Sequence, residues 1–370
     1  MEEPIRILQM IGSLSVGGSQ SVILNIYRNI DRDKVQFDFV LDHPENNILV
    51  PEVTALGASI YTVPAFNGSN LLMVIRAWGK IFKEHPEYKI LHSHVRSYAF
   101  IYLLIAKKYG IKTIIHSHST SNGQGITAIV KNILQLPLRF VADYFIGCSF
   151  AAGKWLFGSR IVHSDRFHIL QNAIKVSDYA FDKDVRERYR EELGVGDNIT
   201  FIHIGRLTEP KNHMFLLKIF SEWLEKNAGY LVIVGDGGLR TQIQKEIERL
   251  KIADNVIMLG NRNDIAQLLQ AADCLLFPSL YEGLPVTVVE AQAAGIPSLI
   301  SDVITDEVCL SDLVIKCPID SGTRPWLDAI EKIDYTRINV SNKIIDAGFD
   351  IAASVTWLTD LYRRLSNSDI

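Results

Sequence analysis

Residues 278–297, PSLYEGLPVTVVEAQAAGIP, set two glutamates, Glu282 and Glu290, on either side of a proline that opens an alanine-rich run. Pro285 fits the first helical position, where a missing N–H costs nothing. The N–H groups around Gly283 and Leu284, just ahead of it, would then form a seat for an anion, helped by the helix dipole. The seven intervening residues separate the carboxylates along the helix axis, so the two acids need not share one target.

Cations come from another stretch. Gly205-Arg206-Leu207-Thr208-Glu209-Pro210-Lys211 follows the apolar run Thr200–Ile204. Arg206 and Lys211 lie five residues apart across a loop and can point at one anion. A planar fork and a point charge together suit a diphosphate. Val234-Gly235-Asp236-Gly237-Gly238 also follows an apolar run, and its glycines would let backbone approach a flat or phosphorylated ligand. In Asn263-Asp264-Ile265, Asp264 reads as a helix N-cap, with the backbone around Ile265 able to meet a base.

The first half carries weaker signals. Gly12-Ser13-Leu14-Ser15-Val16-Gly17-Gly18-Ser19 is a glycine-rich turn that opens a helix from Gln20 to about Arg28. A P-loop would need lysine where Gly18 stands, and G-x-G-x-x-G is absent both here and at 235–238. His92-Ser93-His94 and His116-Ser117-His118 each sit just past a strand, and alternation puts each pair of imidazoles on one side. Four histidines could hold zinc, but no carboxylate or cysteine of suitable spacing accompanies them, so no metal is expected. Imidazoles at strand ends suit donation to a phosphate or a sugar hydroxyl instead.

These residues sit at the ends of short apolar runs that alternate with helical stretches. The first series is Arg6–Ile11, Gln36–Leu41, Ser59–Val63, Ile90–Leu91, Thr113–Ile115, Tyr144–Gly147 and Phe167–Leu170. The second is Thr200–Ile204, Tyr230–Val234, Val256–Leu259, Cys274–Phe277, Ser298–Ile300 and Leu313–Ile315. Continuous apolar strands between helices imply parallel sheets covered on both faces. Two series imply an α/β chain of two doubly wound, Rossmann-like domains whose ligands bind at the carboxyl ends of the strands. The break is expected near 175–198, giving domains 1–175 and 176–350. Asp182–Leu193 there reads as an exposed, charge-paired helix, and Ile351–Leu365 as an amphipathic one.

The 370 residues match about two domains, and 48% apolar with 22% charged residues excludes a disordered chain, a collagen or a coiled coil. A net charge of −4 argues against nucleic acid as partner. The start is acidic, and the longest apolar run, Tyr98–Ala106, falls far short of the ~20 residues that span a bilayer. Cys148 and Cys274 lie in apolar runs and read as core residues of a cytosolic protein. Charge is uneven. Residues 1–175 hold 18 basic and 12 acidic residues, and within 88–164 Asp143 is the one acid against nine bases. That half is expected to face something anionic. Thr127–Phe140, mainly apolar with Lys131 and Arg139, suits shallow docking on an anionic bilayer, or else a buried inter-strand helix broken at Pro137.

Together these segments resemble the retaining glycosyltransferases of family 4, with the GT-B fold of two domains facing a cleft. The matching residues are Gly17-Gly18, His118, Ala142-Asp143…Ser149, Gln171-Asn172-Ala173, Gly205-Arg206…Lys211, Gly235-Asp236-Gly237, Glu282-Gly283-Leu284-Pro285 and Glu290. The resemblance spans nearly the whole chain and is most specific over 199–301. More narrowly, it is similar to enzymes that build capsular or exopolysaccharide repeat units. Two departures stand out. Ser301-Asp302-Val303-Ile304-Thr305-Asp306-Glu307 replaces a Gly-Gly-x-x-Glu stretch that touches the donor sugar, and Asn172-Ala173 replaces Asn-Gly.

The resemblance implies a nucleotide-diphosphate sugar donor, most often a UDP-sugar, held by the second domain, and a glycan or lipid-linked acceptor met by the first. About 351–370 would pack back on the first domain. Arg206 and Lys211 would neutralise the departing diphosphate, Glu290 would accept from the ribose hydroxyls, and Glu282 would sit by the sugar. His118 would contact the sugar at the reacting centre. The protein would work in the cytoplasm, at the inner face of the plasma membrane, without a cofactor. Two other classes remain open at this stage. A sugar-nucleotide epimerase or hydrolase would turn over donor alone, and a non-catalytic sugar-nucleotide-binding protein would bind UDP without turnover.

Overall fold

A computed structural model describes residues 3–15, 18–43, 47–118 and 126–367, the side chains of 18 and 126–129 excepted. Gly17 lies outside the described residues, and Gly18 is the first residue of the helix Gly18–Asn29. Contacts divide the chain into two units, Met1–Ala173 with Ile351–Ile370, and Ile174–Asp350.

The first unit holds a parallel sheet of β1 (Ile5–Gly12), β2 (Val35–Leu41), β3 (Ile60–Thr62), β4 (Ile90–Ser93), β5 (Lys112–Ser117), β6 (Tyr144–Gly147) and β7 (Phe167–Ile169). Their order is β3-β2-β1-β4-β5-β6-β7. The second unit holds β8 (Ile199–Ile204), β9 (Gly229–Val234), β10 (Val256–Gly260), β11 (Cys274–Phe277), β12 (Ser298–Ser301) and β13 (Val314–Cys317), also parallel, in the order β10-β9-β8-β11-β12-β13. Every strand read from the sequence is present, with ends that differ by at most two residues. Helices cover both faces of each sheet, so central strands such as β11 are buried throughout, which is why they read as unbroken apolar runs. Cys148 and Cys274 are buried core residues.

Winding direction reverses between β1 and β4 and again between β8 and β11. At such a switch point the loops diverge and leave a crevice at the strand carboxyl ends. In the second unit those loops are 205–212 and 278–285.

Local chemistry sets the helix ends. Asp182 caps the helix Lys183–Leu193, accepting from the N–H groups of Asp184 (2.9 Å) and Val185 (3.1 Å). Gly194 closes it at φ 68°, a conformation only glycine adopts cheaply. The helix Ile351–Asn367 lays Ile351, Val355, Leu358, Leu361 and Tyr362 into the core that contains Ile7 and Phe37 of the first unit.

Candidate functional site

In the second unit, the two loops of the switch point meet through Lys211 and Glu282. Lys211 Nζ lies 2.6 Å from Glu282 Oε1, with the side chains only 18% and 15% exposed. The same ammonium sits 4.5 Å from the centroid of the Phe277 ring at the end of β11, a cation–π contact. Leu280 N–H donates to the Pro210 carbonyl (2.8 Å), tying the loops backbone to backbone. A Cβ at Gly205 would stand 3.0 Å from Lys211 Cε, so the glycine leaves room for the lysine stem. Arg206 is exposed on the same loop. A cation and an acid are thus held, partly out of water, with the acid four residues ahead of a helix start.

That helix runs Val286–Ala293. Pro285 is its cap residue rather than its first helical one, because its ψ of 104° is extended. Gly283 is exposed and Leu284 half-buried on the approach. Glu290, half-buried, accepts a hydrogen bond from the Tyr179 hydroxyl at 2.8 Å. Burial pushes its carboxyl above the usual range, and the Tyr179 bond opposes that. The two acids therefore have separate partners, as their spacing predicts.

The neighbouring loops depart from the sequence reading in two places. Cβ atoms at Gly235 and Gly237 would fall 2.1 Å from the Gly205 carbonyl oxygen and 2.5 Å from that of Leu207. These glycines let the β8 and β9 loops pack on each other, and only Gly238 opens on free space. Asp236 is exposed and accepts from the N–H of Gly237 (2.7 Å). Asp264 precedes the helix Ile265–Ala271 but its side chain does not cap it. Arg262 holds that carboxylate with both Nε (2.8 Å) and Nη2 (2.5 Å), and the Tyr189 hydroxyl donates to it at 2.8 Å. The Arg262 fork outcompetes a single backbone N–H and pulls the Asp264 acid down to about 2. Ile265, half-buried, begins the helix with its N–H outside the regular ladder.

In the first unit the four histidines gather at the ends of β4 and β5. His92 and His94 rings stack at 4.4 Å between centroids, His116 and His118 at 3.9 Å. His94 Nδ1 lies 2.8 Å from His118 Nε2. Burial drives all four imidazoles well below their ordinary range, His92 and His118 to about 3, so they are neutral at pH 7.

Four participants escape the sequence. Tyr179 lies 111 residues from Glu290 in a 3-10 turn, Val176–Tyr179, with no motif of its own. Phe277 reads there as an ordinary core residue of a strand. Gln9 and Tyr362, which touch the histidines, lie on the first strand and the last helix. Arg139 reads as a surface cation, yet it is half-buried and its Nε donates to the Leu156 carbonyl (3.1 Å).

The chain matches two family profiles, "Glycosyltransferase Family 4" over residues 16–178 and "Glycosyl transferases group 1" over 185–312. It is 30% identical to EpsF, a glycosyltransferase candidate of Bacillus subtilis (strain 168), over 98% of both chains. It is 22% identical, over 94% of both chains, to the Escherichia coli enzyme named UDP-Gal:alpha-D-GlcNAc-diphosphoundecaprenol alpha-1,3-galactosyltransferase. Among solved structures it is similar to Anabaena HepE in complex with UDP and glucose, with a TM-score of 0.76 and 18% identity, over 97% of this chain and 99% of that one. A glycosyltransferase from Rickettsia africae superposes with a TM-score of 0.77 and 17% identity over 100% of both chains. With two parallel doubly wound units and a full-length relative at this identity, the chain belongs to the family 4 glycosyltransferases of GT-B fold.

Proposed function

We propose that the protein is a retaining glycosyltransferase that moves a sugar from a UDP-sugar to a glycan or lipid-linked acceptor in cell-surface polysaccharide synthesis. The observation that carries the reading is the Lys211–Glu282 pair at the β8/β11 switch point, just ahead of the helix Val286–Ala293. The names of relatives supply the substrate class: a UDP-galactose donor and a diphosphoundecaprenol acceptor for the Escherichia coli enzyme, bound UDP for HepE.

Each side chain then has a part. Breaking the bond from the anomeric carbon to phosphate leaves the electron pair on phosphate oxygen and positive character on the carbon. Arg206, Lys211 and the N–H groups near Gly283 and Leu284 receive the diphosphate, so that fixed charge meets the leaving group without solvent rearrangement. Lys211 turns from Glu282 to the diphosphate as donor binds, freeing the acid to face the sugar. Glu290 accepts from the ribose hydroxyls, and the backbone at Ile265 meets the base. Gly205, Gly235, Asp236 and Gly237 shape the loops beside the diphosphate. The acceptor hydroxyl attacks from the face the phosphate leaves and passes its proton to the departing oxygen, which preserves the configuration. We assign His118, on the first unit, to the sugar at the reacting centre, and the turn at Gly17 and Gly18 to the donor side.

Work at the cytoplasmic face of a membrane follows from a lipid-linked acceptor. Among the described residues no helix is long and apolar enough to cross a bilayer. Val130, Ile133, Leu136 and Phe140 are 48, 60, 48 and 86% exposed in a segment that also carries exposed Lys131, a composition suited to shallow insertion.

The deciding experiment incubates the protein with a panel of UDP- and GDP-sugars, with and without membrane lipid extract, and follows nucleotide release. Release that requires both one UDP-sugar and the extract is expected, and it persists in excess chelator. Equal release without extract would point to hydrolysis or epimerisation, and binding without any release to a non-catalytic protein.

A further inference from the structure

The histidine cluster carries more than the sugar-contacting role given to His118. His92, His94 and His116 bring one ligand nitrogen each to within 4.8 Å of one another. His92 and His116 are 2% and 1% exposed, yet His92 Nε2 and both nitrogens of His116 have no hydrogen-bond partner. Buried polar nitrogens are normally matched, and the lone pairs of His92 and His116, brought together here, call for a ligand that takes lone pairs.

The outer contacts suit a metal as well. His94 Nε2 is 2.9 Å from Gln9 Oε1, an oxygen that can only accept. The proton therefore sits on Nε2, and Nδ1 offers its lone pair inward. His92 Nδ1 is 2.8 Å from the Tyr362 hydroxyl, and Gln9 Nε2 donates to that hydroxyl at 3.2 Å. A ligand on His92 Nε2 makes Nδ1–H the donor to Tyr362, the usual way a second ring nitrogen orients a metal-binding imidazole. All of these residues belong to the first unit.

We propose that His92 Nε2, His94 Nδ1 and a nitrogen of His116 form a site for one borderline-soft divalent cation, of which zinc is the natural occupant. Three neutral imidazoles without a carboxylate select zinc, cobalt, nickel or copper over magnesium or calcium. His118 Nε2, 2.8 Å from His94 Nδ1, is placed to supply a fourth nitrogen once the pair opens by about half an ångström, since tetrahedral Zn–N bonds of ~2.05 Å set nitrogens ~3.3 Å apart. The site is distinct from the diphosphate residues of the second unit and does not rest on the transferase reading.

The test uses tag-free, full-length protein stripped of metal. Calorimetric titration with Zn2+ is expected to show one equivalent bound at micromolar affinity or tighter, with no heat from Mg2+. Co2+ in its place is expected to give visible d–d bands of four-coordinate strength. His92→Gln and His116→Gln should each weaken zinc binding at least tenfold, and if either fails to fold, the cobalt spectrum of the unaltered protein decides alone. Absence of both the zinc equivalent and the cobalt bands would overturn the site, as would undiminished binding in both folded variants. UDP binding, measured in parallel, reports on the second unit independently.

Discussion

The Tyr179 hydroxyl donates to Glu290 Oε1 at 2.8 Å and occupies one of the two oxygens that a ribose would meet. The bond fixes the carboxylate's rotamer and favours its ionised form against the upward push of burial. Tyr179→Phe should therefore weaken UDP binding about tenfold, the size of one hydrogen bond to a charged group. It should also move the acid limb of the binding profile to higher pH, because the one interaction lowering the Glu290 acid is gone. Calorimetry across pH 5–8 checks both. A lower affinity with an unmoved limb would reduce Tyr179 to packing.

Lys211 Nζ and Glu282 Oε1 lie 2.6 Å apart, and in the proposed reaction the pair separates as donor binds. Lys211→Ala should lower kcat by about 10²–10³, in the range for removing one preorganised stabiliser of a leaving group. Glu282→Ala should also lower kcat, and the double variant should cost less than the product of the two, since each single change strands a partly buried charge. Gly205→Ala offers a milder probe, since its new methyl would press on the lysine stem at 3.0 Å and should cut kcat with the fold intact. Strictly multiplicative losses in the double variant would mean the pair is incidental.

The sheets were legible from the residues because parallel strands buried on both faces leave unbroken apolar runs, as at Leu275–Phe277, and helices announce their ends, as at Asp182 and Gly194. Arg206, Lys211 and Glu282 could be singled out as candidates because each lies in a loop that follows a central strand of the second sheet. The site was opaque where geometry is long-range. Nothing near Asp264 in the chain says that Tyr189 will reach it from 75 residues away, so a capping role looked sufficient. The glycines of 235–238 carry no mark that separates loop-on-loop packing from ligand approach, and only the clash of Gly235 with the Gly205 carbonyl does so.

Six histidines held below their ordinary range should make stability pH-dependent. His92, His94, His116, His118, His203 and His213 are all depressed, chiefly by burial, the last to about 4. The unfolded chain protonates them near 6.5 while the folded one does not, so stability is full above that value and falls as pH drops toward 3–4. Each group contributes up to about 1.4 kcal/mol per pH unit in that window. In chelator, the urea midpoint should fall steeply between pH 7.5 and 5.5, with at least ~3 kcal/mol lost. A flat midpoint would show that the rings charge freely in the native state.

Membrane docking should rest on apolar insertion more than on charge. Arg139 is tied to Leu156, which leaves Lys131 as the exposed cation of residues 130–140. Phe140, 86% exposed, stands to gain about 1.5–3 kcal/mol on burial among acyl chains. Phe140→Ser should then weaken binding to anionic vesicles roughly tenfold or more, whereas Lys131→Gln should cost only about 1 kcal/mol and reduce the salt dependence. Co-sedimentation with vesicles of graded anionic content measures both. Equal binding of the unaltered protein to neutral and anionic vesicles would remove the electrostatic part, and undiminished binding of the Phe140 variant would move the docking face elsewhere.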